Sequence, residues 1–366
     1  MTQINTQRYD RHLRLASFGP EKQAKLAQSS VLLVGIGGLG SPVALYLAAA
    51  GVGRLVLVDD DVVDISNLQR QVLFKDADAG QLKVEVAKRE LKAFNPDIQI
   101  DAHATRFNPD NALDLLQGID LVIDGADNFP TRYLVNDAAH FAGIPVVHGS
   151  IHQFDGQVSV FQPNDGPCYR CLFPEPPPLG SAPSCAEAGV LGVLPGTVGT
   201  IQATEAIKVL TGMGESLTGK LLCWDALSSE QRLLRISKNP NCPLCGAQPS
   251  ITALAWTGDF CDLDTMNQLS AADYATWRSK NKSHVLLDVR EPEEIAQDAI
   301  DGHINIPLGQ LPMRVNELAT LKDTTIVCQC AAGVRSQTAI GILQQEGFSD
   351  LHNLDGGIMA WRSEGY

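Results

Sequence analysis

Nine cysteines stand in the 366-residue chain, and their spacing sorts them by chemistry. Cys168 and Cys171 form one C-x-x-C pair, Cys242 and Cys245 a second, and each pair offers two thiolates in a tight turn. Brought together, four sulfurs would hold a zinc ion tetrahedrally. The 70 residues between the pairs exceed any zinc-ribbon spacing, so on spacing alone two redox pairs or four unliganded thiols stay open. Cys330 closes the apolar run TTIVCQC and opens Cys330-Ala331-Ala332-Gly333-Val334-Arg335-Ser336 ahead of a helical stretch. A strand that delivers a thiol to a helix N-terminus, with Arg335 nearby, favours thiolate over thiol, so Cys330 reads as a nucleophile or sulfur carrier. Cys328, on the same strand, reads as buried packing, with a resolving thiol as the lesser alternative. Cys185 sits among small residues in Ser184-Cys185-Ala186-Glu187-Ala188-Gly189, where a thiol is accessible. No local cation activates it, so an incidental exposed cysteine competes with a reactive one. Cys223 reads as a strand residue, and neither it nor Cys261 carries a motif.

A second group of residues suits phosphate chemistry. Gly35-Ile36-Gly37-Gly38-Leu39-Gly40 fits G-x-G-x-x-G between an apolar run and a helical segment, and Asp59 ends the next apolar run. Such glycines let backbone amides approach a phosphate at a helix N-terminus, while the acid holds a ribose hydroxyl. The pattern does not separate NAD, FAD and ATP. Beyond Asp59 the chain departs from the dinucleotide pattern by adding Asn67, Arg70 and Lys83, and later Asp127 in Asp124-Gly125-Ala126-Asp127-Asn128. Two cations and a carboxylate suit a triphosphate with magnesium better than a pyrophosphate bridge. Each charge taken singly reads as a solvated surface residue.

These residues need elements to carry them. VLLVG (31–35), a helix over 41–50 and RLVLVD (54–59) make a βαβ unit of a parallel sheet. A helix over 80–94 comes next, then strands near 98–103, 120–124 and 145–149, with a helix at 131–142. The texture then turns antiparallel, at 157–163, 219–226 and 231–237. Between the first two lies the Pro-, Gly- and Ser-rich crossover 174–196, followed by a helix over 197–210. Residues 5–28 have helical character. After a boundary in 246–258, strands at 284–290 and 324–330, each followed by a helix, restart the rhythm. No internal repeat is visible.

Composition narrows the function classes. A net charge of −14 argues against a nucleic-acid footprint, which would need a basic face, and 44% hydrophobic residues argue against disorder. Residues 251–366 carry −8 of that charge, which marks them as a separate module. An odd cysteine count argues against a secreted disulfide scaffold. MTQINTQRYDRHLRL lacks the apolar run of a signal peptide. The uncharged stretch Leu26–Gly53 is long enough to span a bilayer, but its glycines make it strand, turn, helix and strand. The expectation is a reducing, cytoplasmic setting with no membrane.

The stretch from RYDRHLRL (8–15) to Gly246 resembles the MoeB/ThiF-type adenylyltransferases that activate ubiquitin-like sulfur carriers, relatives of the ubiquitin-activating enzymes. GIGGLG, DISNLQRQ, GADNFPTR, both C-x-x-C pairs and SCAEAGVLG carry the likeness. The resemblance implies that Asp59 holds ribose, that Asn67, Arg70 and Lys83 contact phosphates, and that Asp127 holds magnesium. It implies structural zinc on Cys168, Cys171, Cys242 and Cys245. It further implies that Arg11 reaches the partner's site across a homodimer, and that Cys185 attacks the carrier or its persulfide adduct. Residues 262–366 resemble the rhodaneses, which carry sulfur as a cysteine persulfide, through LLDVREPEEI, DGHINIP, NLDGGIMAW and the Cys330 loop. Four residues between Cys330 and Arg335 make a smaller cradle than the five of related phosphatases, which suits one sulfur atom. Asp288 and Arg290 read as loop braces and His303 as structural.

The expected fold is α/β: a Rossmann-like ATP-binding domain (1–250) with a mixed sheet and zinc site, then a smaller α/β rhodanese domain (262–366). The expected activity is adenylation of a carrier's C-terminal Gly-Gly carboxylate by ATP. Sulfur transfer then comes from a Cys330 persulfide, charged by a donor such as a cysteine desulfurase. Two alternatives stand beside it: a rhodanese domain that only docks or regulates sulfur delivery, and an NAD-dependent oxidoreductase. The latter leaves Arg70, Lys83, Asp127 and the Cys330 loop without work.

Overall fold

The computed structural model describes residues 5–163, 166–177, 189–256 and 267–366. Two compact units are present, one built from residues up to 176 and from 189–256, the other from 267–366.

The first unit is an eight-stranded mixed sheet. Its strands are β1 (Ser30–Val34), β2 (Arg54–Val58), β3 (Gln99–His103), β4 (Leu121–Asp124), β5 (Val146–His152), β6 (Asp155–Phe161), β7 (Lys220–Asp225) and β8 (Glu230–Arg235), in the order β3-β2-β1-β4-β5-β6-β7-β8. The five strands β3 to β5 in that order run parallel, and β5 to β8 pair antiparallel. The central strands are apolar at nearly every position because both faces are covered. Val31, Leu33, Leu55, Leu57 and Ile123 enter one core, while their neighbours Leu32, Val34, Val56, Val58 and Val122 enter the other. Strand order reverses between β1 and β4, so the carboxyl ends of β1, β2 and β4 open on one crevice, the usual ligand position in such sheets.

Glycine is required where the crevice floor is tightest. Gly35 takes φ +88°, and a Cβ there would stand 2.8 Å from the Gly125 carbonyl oxygen. A Cβ on Gly40 would meet the Gly35 oxygen at 2.0 Å. The glycine turn and the loop after β4 thus touch through backbone alone. The helix Leu194–Thr211 crosses onto the helix Gly40–Ala50, with Gly199 admitting Pro42.

The opening stretch is not one helix. It forms Asp10–Leu13 and Gly19–Gln28, divided where Gly19 adopts φ +62° and Pro20 starts the second helix. Leu26–Gly53 holds the end of that helix, β1, the glycine turn and the helix Gly40–Ala50. No described helix is long and apolar enough to cross a membrane.

The second unit is a five-stranded parallel sheet of β9 (Asn267–Leu269), β10 (Val285–Asp288), β11 (His303–Asn305), β12 (Ile326–Gln329) and β13 (Leu351–Leu354), in the order β11-β10-β12-β13-β9. Only β10 and β12 are apolar enough to read as strands. β9, β11 and β13 are three or four residues long and carry Asn267, Gln268, His303, Asn305, His352 and Asn353, so no apolar run announces them. β12 is central, and Cys330 is the first residue beyond it. Cys185 and Cys261 lie outside the described residues.

Candidate functional sites

Asp59 stands just past β2 with both carboxylate oxygens engaged. Oδ2 accepts the Ile36 amide at 2.7 Å and Oδ1 accepts the Asp61 amide at 2.9 Å, which ties the glycine turn to the end of β2. Burial pushes its pKa up to about 6, against the opposing pull of Lys83 and the two amides. Lys83, buried at the first position of the helix Lys83–Phe94, donates to Asp61 at 2.8 Å. Asn67 ends a short 3-10 turn, Ile65–Asn67, capped by Asp64, and its Oδ1 accepts from Gln71 at 2.8 Å. Arg70 donates to the Ser66 carbonyl at 3.0 Å. Its Cδ lies 3.8 Å from the point where Gly38 would carry a Cβ, and Gln71 Nε2 lies 3.6 Å from the same point on Gly37. Arg70 and Gln71 therefore cover the glycine turn, and Asn67 holds the Gln71 amide. Gln71 is buried, and its Oε1 has no hydrogen-bond partner, an acceptor that a ligand donor can satisfy.

Across the crevice, Asp127 is exposed in the loop after β4 and, among the described residues, accepts only a 3.3 Å contact from Asn128. Asn128 caps the helix Phe129–Ala142 by accepting from the Thr131 amide. The base of the loop is fixed by buried Asp124, which accepts from the Ala126 amide at 3.1 Å and pairs with His148 at 2.7 Å. Carboxylate oxygens of Asp59, Asp60 and Asp61 lie within 4.8 Å of one another, and Asp127 joins no such group among the described residues. Arg11 is exposed on the helix Asp10–Leu13 and has no partner among the described residues.

The two C-x-x-C pairs converge. Cys168 and Cys171 flank the start of the helix Tyr169–Leu172, and their sulfurs lie 3.5 Å from Cys242 and 3.4 Å from Cys245 respectively. Bonds of about 2.3 Å to a tetrahedral zinc would set sulfurs about 3.8 Å apart, so the four fit that ion with a slight expansion. Burial and neighbouring sulfurs push the Cys168 thiol up and Cys245 up to about 12, the cost of crowding thiols that a dication removes. The reading as two separate redox pairs does not survive this convergence. The centre also braces the crevice. Arg170, between Cys168 and Cys171, makes a buried bidentate pair with Asp137 at 2.8 and 2.7 Å, and the Tyr169 amide donates to Asn136. Both partners lie on the helix that Asn128 caps.

In the second unit the Cys330 sulfur is buried and receives the Gly333 amide at 3.1 Å and the Ser336 hydroxyl at 3.4 Å. Gly333 needs φ +89° to aim that amide. Arg335 pairs with a carboxylate from an earlier helix. Its guanidinium is held by Glu294 through two bonds of 2.7 Å, and Glu294 is pushed below the usual carboxylate range by that pairing. Asp288 and Arg290 form a buried bidentate pair beside the loop, and Asn305 donates to both of their carbonyls. His303 bonds the Ile300 carbonyl. Cys328 is fully buried, with its thiol pushed up by desolvation, and Cys223 sits in β7.

A profile of the ThiF family matches residues 9–244, and a rhodanese-like domain profile matches residues 270–364. The chain belongs to the ThiF family. It is 44% identical over 369 residues to the probable adenylyltransferase/sulfurtransferase MoeZ of Mycobacterium tuberculosis, covering 98% of this chain and 93% of the relative. The sulfur carrier protein adenylyltransferase of Thermus thermophilus is 52% identical over 267 residues, 72% of this chain and 98% of that one. Among solved structures, E. coli MccB with MccA-N7isoASN superposes with a TM-score of 0.59 at 25% identity, over 67% of this chain and 75% of the other.

Within this ThiF-family chain, the crevice gathers Gly35, Gly37, Gly38, Gly40, Asp59, Asn67, Arg70 and Lys83 around one turn. Asp127 stands on the neighbouring loop, and Arg11 stands apart on its own helix. Sequence reasoning missed Gln71, whose place in DISNLQRQ carried no charge to flag it, and it missed Ser336, Glu294 and Asn353 around Cys330. All four lie inside the quoted motifs, but nothing in those motifs gave them a role.

Proposed function

We propose that the chain activates the C-terminal Gly-Gly carboxylate of a ubiquitin-like sulfur carrier with ATP and then converts it to a thiocarboxylate. The observation that carries this reading is the presence on one chain of an acyl-activating crevice and a buried, amide-lined cysteine. The proposed modules are residues 1–250 and 262–366.

Asp59 accepts the ribose hydroxyls, already aligned by its two amide bonds. Arg70 and Lys83 leave Ser66 and Asp61 for the phosphates, and Arg11 of a second copy completes the shell in a homodimer. Asp127, exposed and nearly unpaired, is the residue that would hold magnesium, which supplies charge neutralisation on the phosphates. The four cysteines would hold zinc, with no open position for chemistry.

The carrier carboxylate oxygen attacks the α-phosphorus, the bond to the bridging oxygen breaks, and pyrophosphate leaves. Arg70 and Lys83 stabilise the charge on the leaving group. The terminal sulfur of a Cys330 persulfide, charged by a donor such as a cysteine desulfurase, attacks the acyl carbon and expels AMP. That leaves an acyl disulfide on Cys330. A thiolate, for which Cys185 is our candidate, attacks the Cys330 sulfur and releases the carrier thiocarboxylate. The resulting protein disulfide is reduced by an external dithiol. The setting that fits these thiols is the reducing cytoplasm. Carrier-dependent ATP–pyrophosphate exchange, followed by mass measurement of the carrier for an oxygen-to-sulfur change, tests the reading. Absence of exchange with every Gly-Gly carrier tried would refute it.

A further inference from the structure

Ser336 has one hydroxyl hydrogen and three acceptors in reach: Asn353 Oδ1 at 2.6 Å, the Gly333 carbonyl at 3.0 Å and the Cys330 sulfur at 3.4 Å. Asn353 in turn donates its Nδ2 to Gln268 Oε1 at 2.8 Å. Cys330, Ser336 and Asn353 are 1%, 0% and 0% exposed, whereas Gln268 on β9 is exposed. Donation therefore runs outward, from Ser336 to Asn353 to Gln268. That polarity spends the hydroxyl hydrogen on Asn353 and suits a neutral sulfur. A carboxamide turned by half a revolution exchanges its oxygen and NH2 at almost constant shape. With both amides turned, Gln268 donates to Asn353, Asn353 donates to Ser336, and Ser336 donates to Cys330. That polarity suits a sulfur anion.

We propose that Gln268 and Asn353 form a reversible hydrogen-bond relay that turns the Ser336 hydroxyl onto the Cys330 sulfur when that sulfur is anionic. Both amides are then positioning residues acting through Ser336. The inference rests on Cys330 as the reactive sulfur of the proposed function, but it is tested on the thiol itself. The other ionisable groups on the surrounding elements are largely neutralised. Asp288 on β10 pairs with Arg290, Arg335 with Glu294, and Arg362 of the helix Gly357–Ser363 with Asp298. His352 on β13 pairs with Asp350, Asp355 lies just past β13, and Cys328 shares β12. The Gly333 amide and the Ser336 hydroxyl are the neutral donors set beside the sulfur.

The test is the pH dependence of Cys330 alkylation by iodoacetamide in the full chain, read on the Cys330 peptide by mass spectrometry. Ser336→Ala should raise the midpoint by about one pH unit, because a donor to the anion is lost. Gln268→Glu, which only accepts, locks the outward polarity and should raise the midpoint. Gln268→Lys, which only donates, locks the inward polarity and should lower it. Both substitutions also act through space by charge, so each is repeated on Ser336→Ala, where the difference between them should collapse. Asn353→Leu, which cuts the relay while leaving Ser336 in place, gives a second readout if Ser336→Ala fails to fold: the Glu–Lys difference should collapse there too, whereas a through-space effect would remain. Equal shifts with and without Ser336, a difference that survives in Asn353→Leu, or an unmoved midpoint in Ser336→Ala would each overturn the relay. Midpoints that behave as expected in a chain that makes no thiocarboxylate would retire the proposed function and leave the relay standing.

Discussion

The nucleotide crevice and the cysteine loop solve opposite electrostatic problems. In the crevice the cations are held on internal partners, Lys83 on Asp61 and Arg70 on the Ser66 carbonyl, while Asp127 stays exposed and Asp59 is forced up to a pKa of about 6 by burial. In the loop the sulfur accepts the Gly333 amide, the Ser336 hydroxyl stands within reach of it, and Glu294 pairs with Arg335. A site for a multiply charged ligand that comes and goes must store charge and exchange partners. A site for one resident sulfur atom can be finished in advance with neutral dipoles.

The sharpest break in this comparison comes from removing a stored cation. Lys83→Ala or Arg70→Ala should cut carrier-dependent ATP–pyrophosphate exchange by about 100- to 1,000-fold. Sulfur transfer from thiosulfate to cyanide at Cys330 should stay unchanged. Loss of both activities would mean that the two sites are not separable. Next in size is the sulfur centre. Cys242→Ser should remove bound zinc by elemental analysis and destabilise the first unit by several kcal/mol, seen as a lower melting transition, because Arg170 and Tyr169 then lose their anchor. A transition unmoved by the substitution would show that the four sulfurs do not hold a structural ion.

A smaller effect sharpens the crevice side. Asp59 has its folded pKa raised above the unfolded value, so its stabilising contribution is present below the ordinary carboxylate range and is lost as pH rises through about 6. The nucleotide-free unit should therefore lose stability between about pH 4 and 7, and Asp59→Asn should flatten that slope in urea titrations. ATP affinity should fall as pH drops through about 6, since the protonated acid is a poorer acceptor for ribose. The smallest effect belongs to the loop. Glu294→Gln should change thiosulfate sulfur transfer by less than about threefold, because the Gly333 amide and the Ser336 hydroxyl stay beside the sulfur. A loss of about tenfold would place the Glu294–Arg335 pair in the machinery.

Local chemistry was readable along the chain wherever one short segment carries it. Gly35–Gly40 sits between a strand and a helix, and Cys330 sits at a strand end, so type and spacing place both. The cysteine pairs were readable as pairs, but their convergence joins the segment after β6 to the segment after β8 and has no signature in spacing. The surroundings of Cys330 were hidden for a different reason. Glu294 comes from a helix far earlier in the chain, and Asn353 and Gln268 lie on short polar strands that no apolar run announces.

The central claim is that one chain activates the carrier in the crevice and supplies its sulfur from the loop. Cys330→Ala tests it most directly, with exchange and thiocarboxylate yield measured on the same preparation with the same carrier. Undiminished ATP–pyrophosphate exchange with no thiocarboxylate is the predicted result. Undiminished thiocarboxylate in the variant would contradict the claim and leave the second unit as a docking module.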